Sequence, residues 1–87
     1  MIEGKTSTGF AFSIDEKVLD NMELLDAIAE SEENLTGISR ACVLLLGKTG
    51  RRQLYDHLRE EDGRVPVKVV SQALVEIFQS CGNKGKN

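Results

Sequence analysis

The sequence predicts a mainly α protein: about four helices in a small bundle with a short N-terminal β-hairpin. Three observations predict it. Between residues 8 and 14 apolar side chains alternate with small or polar ones, Phe10, Phe12 and Ile14 on one side and Ala11 and Ser13 on the other. That is the period of a half-buried strand. Beyond residue 20 the apolar residues recur at helical spacing instead. The helical stretches are then separated by Asn34, Gly47, Gly63 and Pro66, residues that end or redirect helices.

Each element follows in order. Ile2 to Thr6 supplies the partner strand, turning at Ser7-Thr8-Gly9. A hairpin alone is marginal in water, so its apolar face must lie on helices. Asp15 ends the second strand and caps a short turn. Asp20 is expected to cap a helix reaching Glu33, with Glu23 three residues on completing a capping box. Met22, Leu25, Ile28 and Ala29 are its expected buried stripe, with Leu24 on the flank; Glu23, Asp26, Glu30 and Glu33 face water.

After a break from Asn34 to Gly37, a second helix is expected from Thr36 to Leu46. Ile38, Cys42, Leu45 and Leu46 keep helical spacing, and Ala41, Val43 and Leu44 fill the other sides. A helix apolar nearly all round is central or faces a partner. Gly47 ends it as a C-cap glycine does. Thr49 or Gly50 opens a third helix, Arg51 to Glu60, with Leu54, Tyr55 and Leu58 inward. Gly63 turns the chain, and Pro66 suits the first turn of a last helix, Val67 to Ser80, which buries Val70, Leu74, Ile77 and Phe78. Ile28, Leu45, Leu74 and Phe78 are expected to share one core. Residues 1–80 thus read as a single helical domain with its hairpin, and residues 81–87 as a disordered polar tail.

Composition narrows the function classes. A chain of 87 residues supports one modest core. No apolar run is long enough to span a bilayer; the longest is Ala41 to Leu46. Met1 to Lys5 lacks a signal-peptide pattern, which points to a cytosolic protein. Cys42 reads as a buried small hydrophobe and Cys81 as the edge of the tail, with no disulfide expected. Even with His57, two cysteines do not complete a structural zinc site. The net charge of −3 is unevenly spread, residues 1–36 carrying −7 and residues 37–87 carrying +4. Such a split gives either two solvated faces or an acidic half that meets a basic half in head-to-tail self-association.

No motif supports a reaction. The acidic, Gly-centred stretch Gln53 to Val67 looks like a calcium loop, but aligning Gly63 with the loop's glycine puts Leu58 and Val69 where carboxylates are required. Gly47-Lys48-Thr49 is like the end of a phosphate-binding loop, yet Cys42 stands where the leading glycine belongs, and a helix precedes it. His57, flanked by Asp56 and near Glu60 and Glu61, has no nucleophile pattern to serve. Gly37 to Leu58 can be read as a helix-turn-helix with Arg40, Lys48, Arg51 and Arg52 on phosphates, but the pI near 5.1 and Asp56, Glu60 and Glu61 on the recognition helix oppose it. No catalytic, cofactor or metal-binding residue is assigned.

Several landmarks stand in a suggestive order: the Phe-x-Phe strand ending at Asp15, Asp20-Asn21-Met22-Glu23-Leu24-Leu25-Asp26, Leu44-Leu45-Leu46-Gly47, Leu54-Tyr55-Asp56-His57-Leu58-Arg59, Glu61-Asp62-Gly63-Arg64-Val65-Pro66, and a final amphipathic helix with a Lys/Asn tail. In that order, over residues 10–80, the chain resembles the small tail assembly chaperones of long noncontractile-tailed bacteriophages. The resemblance implies a non-enzymatic protein of the infected bacterial cytoplasm, absent from the mature virion. It would keep the tape-measure protein soluble, contact the major tail-tube protein, and form homo-oligomers. Binding is expected on apolar and charged surface, at Leu44, Arg51, Arg52, Tyr55, Glu23 and Asp26. Two alternatives stand beside it: another phage morphogenesis protein, such as a head–tail connector or tail-completion factor, and a small helical DNA-binding regulator.

Overall fold

The computed structural model describes residues 1–84 and places two strands and four helices in the order β1 (Ile2–Lys5), β2 (Ala11–Ile14), α1 (Glu16–Leu19), α2 (Met22–Glu33), α3 (Thr36–Leu58) and α4 (Val67–Lys84). The mainly α architecture with an N-terminal antiparallel hairpin is the one the sequence predicts.

The hairpin pairs Ile2 with Ile14 and Lys5 with Ala11. Its loop closes through Gly9 N–H on the Thr6 carbonyl at 2.9 Å, with Gly9 at φ +91°. A left-handed glycine ending a three-residue loop lets both strands keep their twist. Ile2, Phe10, Phe12 and Ile14 are all buried, so the alternation puts one face on the core as expected. The face is tied down at two points. The Glu76 carboxylate on α4 accepts from Ser7 N–H at 2.7 Å and from Ser7 Oγ at 2.9 Å. His57 on α3 meets the Thr8 carbonyl oxygen at 2.9 Å through Nε2, and its ring lies 5.7 Å from that of Phe10. A carbonyl only accepts, so Nε2 carries the proton. The histidine singled out in the sequence thus anchors the hairpin turn.

Asp15 caps α1 by accepting from Lys17 N–H at 3.0 Å. The cap of α2 is Asn21, whose Oδ1 accepts from Glu23 N–H at 3.0 Å. Asp20 instead closes α1, so the capping box expected from Asp20 and Glu23 does not form. The expected buried stripe of α2 is also displaced. Leu24 and Ala27 are buried and Ile28 is half-buried, while Met22, Leu25 and Ala29 face outward. At its C-terminal end α2 comes close to the start of α3. A Cβ at buried Gly37 would stand 2.9 Å from Ser31 N and 3.1 Å from Glu30 C. Backbones that near leave no room for a side chain at position 37. We expect Gly37→Ala to lose about 1–2 kcal/mol in urea unfolding, overpacking outweighing the gain in helix propensity. A more stable variant would contradict the close approach.

The two helices expected on either side of Gly47 are both present, as two limbs of α3 that meet at a break there, so Gly47 ends the first as expected. Gly47 sits at φ 78° and ψ 169°, non-helical, and helix resumes at Lys48 without the expected gap to Thr49, Gly50 or Arg51. Only glycine reaches that region readily. Ile38, Ala41, Cys42 and Leu45 from the first limb and Leu54 from the second are buried in the core. The second limb stops at Leu58, two residues before the expected end.

The acidic turn that follows is held by arginines. Arg64 pairs with Glu60 at 2.8 Å and with Asp62 at 2.9 Å; Arg59 pairs with Asp56 at 3.1 Å and donates to the Gly63 carbonyl at 2.8 Å. Hydrogen bonds from Arg64 backbone and side chain hold the Asp62 carboxyl below its ordinary range. Gly63 takes φ +90°. The Pro66 carbonyl then accepts from Val70 N–H at 3.2 Å, the first bond of α4.

Helix α4 runs past Ser80 to Lys84 and buries Val70, Ala73, Leu74, Ile77 and Cys81. Cys81 continues the stripe four residues after Ile77, so the expected tail boundary at residue 81 is corrected, and this thiol is core instead of edge. Residues 85–87 of the expected tail lie outside the described residues. Neither cysteine is part of a disulfide. Leu45 and Leu74 share the buried core as expected, whereas Ile28 and Phe78 are only half-buried against it.

Candidate protein-binding surface

Three of the six expected binding residues come together on the second limb of α3. Arg51, Arg52 and Tyr55, with Lys48, Thr49, Asp56 and Arg59, line an open concavity of about 450 Å³. The limb begins immediately after Gly47, and the i, i+3, i+4 spacing of Lys48, Arg51, Arg52 and Tyr55 sets them on one side. Arg51 is the ordered member. Its Nη1 donates to Ser39 Oγ at 2.9 Å, and its guanidinium lies 5.9 Å from the Tyr55 ring centroid, within cation–π range. The Tyr55 hydroxyl reaches the same Ser39 oxygen at 3.5 Å. Lys48 and Arg52 make no hydrogen bond or ion pair among the described residues, so their charge is available to a partner.

Tyr55 also walls a second, apolar groove of about 210 Å³, lined by Leu35, Ile38, Ser39, Val65, Val67 and Val70. Leu35 is 68% exposed and Val67 53%, although both are aliphatic. Two hollows with one tyrosine between them form one surface, apolar at one end and cationic at the other. Helix-in-groove recognition uses that combination, the groove taking apolar anchors and the charged rim fixing orientation. A separate apolar groove of about 290 Å³ lies between α2 and α4, lined among others by Ile28, Leu74, Val75 and Phe78, with Glu32 as the one charge among its lining residues.

The other three expected residues lie elsewhere. Leu44 is half-buried against the core. Glu23 and Asp26 are exposed on α2, and Glu23 shares Arg40 with Glu30, at 3.8 and 3.6 Å. Such exposed, long pairs contribute little to stability. Arg40 thereby faces α2, away from the Lys48, Arg51 and Arg52 with which a helix-turn-helix reading grouped it. The groove residues Leu35, Val65 and Val67 escaped the sequence reading. Each is a single apolar residue next to a polar break, and their convergence depends on how α4 returns past α3. The sequence signal that pointed to them was weak but real: Leu35 stands alone between Asn34 and Thr36, where a helix junction has no use for an aliphatic side chain.

Among the described residues no helix is long and apolar enough to cross a membrane, and no three or more His, Cys, Asp or Glu side chains cluster to hold a metal ion. Comparison of the chain with protein-family models, with curated proteins and with solved structures gives no match.

Proposed function

We propose that this protein is a non-enzymatic assembly chaperone that holds a helical client soluble by covering its apolar stripe. The observation that carries the reading is the joined surface at Tyr55, with exposed Leu35 and Val67 at one end and unpaired Lys48 and Arg52 at the other. An amphipathic helix laid there would bury its apolar anchors in the groove and set acidic neighbours against the cations. The resemblance to small tail assembly chaperones names the client as the tape-measure protein of a noncontractile phage tail, long, helical and prone to aggregate before tube subunits enclose it. On this reading the protein works in the infected bacterial cytoplasm, meets the tail-tube protein as assembly proceeds, and leaves before the virion is complete.

Co-expression tests it. The tape-measure protein should be more soluble with this chain than without it, and Leu35→Asp with Val67→Asp should remove most of the gain. Equal insolubility in both cases, with this chain recovered from purified virions, would support the connector or tail-completion reading in its place. Duplex DNA binding with a steep salt dependence would support the regulator reading.

A further inference from the structure

We propose that the groove walled by Tyr55 receives helix α2 of a second copy of this chain, so that copies associate head to tail. The donor is the outward face of α2. Met22, Leu25 and Ala29 stand at i, i+3 and i+7 and point away from the buried Leu24 and Ala27. Met22 is 67% exposed and Leu25 42%. That stripe is what a helix presents when it lies in an apolar groove. Beside it run Asp26, Glu30 and Glu33, and neither Asp26 nor Glu33 has an ion pair or hydrogen-bond partner among the described residues for its carboxylate.

The acceptor matches in both chemistry and sign. Leu35, Ile38, Val65, Val67 and Val70 take the apolar stripe, and Lys48, Arg51 and Arg52 beyond Tyr55 face its acids, the one acid lining that hollow, Asp56, being already paired with Arg59. The groove between α2 and α4 fits worse, because its charged lining residue, Glu32, has the same sign as the incoming helix. Donor and acceptor are different patches, so the contact is heterologous. Each added copy leaves one free α2 and one free groove, and growth continues unless the ring closes. Self-docking stands on these features alone; that a client helix competes with it for the same groove rests on the chaperone reading above.

The test uses two double variants of the whole chain in sedimentation velocity over a concentration series. Met22→Ser with Leu25→Ser blocks the donor, and Leu35→Asp with Val67→Asp blocks the acceptor. All four positions are exposed, and circular dichroism checks that both variants fold. Wild-type protein should form concentration-dependent oligomers, more strongly at low salt than at physiological salt, where the screening length falls to about 8 Å. Each variant alone should associate about tenfold more weakly or less. Mixed together, they should form a one-to-one dimer and stop there, because one intact groove meets one intact helix. If either apolar variant unfolds, the neutralising changes Asp26→Asn and Arg52→Gln, which create no new opposite-charge pair with each other, repeat the same mixing test. A wild type that stays monomeric leaves the groove to a foreign helix and overturns the proposal. So do variants that associate like the parent, or that fail to pair when mixed.

Discussion

Replacing Leu45 by alanine is expected to remove about 2–5 kcal/mol of folding stability. Leu45 is 2% exposed and sits on the first limb of α3, in the same core cluster as Cys42, Leu54, Leu74 and Ile77. The loss combines the transfer free energy of the removed carbons with the cavity they leave, since neighbours fixed on two limbs of α3 and on α4 collapse only in part. A domain of this size has about 4–13 kcal/mol in all, so the variant gives up a large share of it. Urea unfolding should show a lower midpoint with an unchanged slope. Leu25→Ala is the control. Leu25 is equally apolar but faces outward on α2, and its change should stay within about 0.5 kcal/mol. If the two variants unfold alike, the assignment of core and surface on these helices is wrong.

Stability should also fall in alkali, by about 2 kcal/mol between pH 9 and 11, because of Cys42. Burial pushes its thiol from 9.0 up to about 11, with the Arg51 charge opposing the rise. The sign follows from proton counts. The folded state keeps the proton to about 11, whereas the unfolded chain gives it up near 9, so deprotonation draws the equilibrium toward the unfolded chain across that window. Below pH 8 the thiol contributes no slope. Other groups titrate in alkali too, so the measurement is the difference between wild type and Cys42→Ala in urea midpoints from pH 8 to 11. A difference independent of pH would show that Cys42 meets solvent in the native state. The same burial should keep a thiol reagent at pH 8 from reaching Cys42 faster than the core opens.

What was legible in the sequence follows from how local each signal is. The hairpin could be read because alternation in Phe10, Phe12 and Ile14 commits a strand to one face, and Gly9 fixes the turn beside it. Asp15 could be read because a cap bonds an amide two residues away. Helix α2 could be placed, but its buried face could not. It has two apolar arcs, Met22–Leu25–Ala29 and Leu24–Ala27–Ile28, and periodicity weighs them alike. The choice depends on how α3 and the rest of the core pack on α2, which the spacing along α2 does not contain. Cys81 was read as tail because glycine, asparagine and lysine follow it, although its spacing from Leu74 and Ile77 was already that of the core. At the binding surface, Arg51, Arg52 and Tyr55 were recoverable because they share one helix. Leu35 comes from the α2–α3 junction and Val65 and Val67 from the entry to α4, and only the packing of α4 brings them together.

The tie between Ser7 and Glu76 has a consequence in time. During synthesis the hairpin leaves the ribosome well before α4 does. At about 5–20 residues per second, the roughly sixty residues between them take some 3–12 seconds to make. For that interval Phe10, Phe12 and Ile14 have a strand partner but only part of the surface that will cover them. The native contacts of the earliest element thus wait on the latest, and each nascent copy passes through a stage in which it is itself an exposed apolar client.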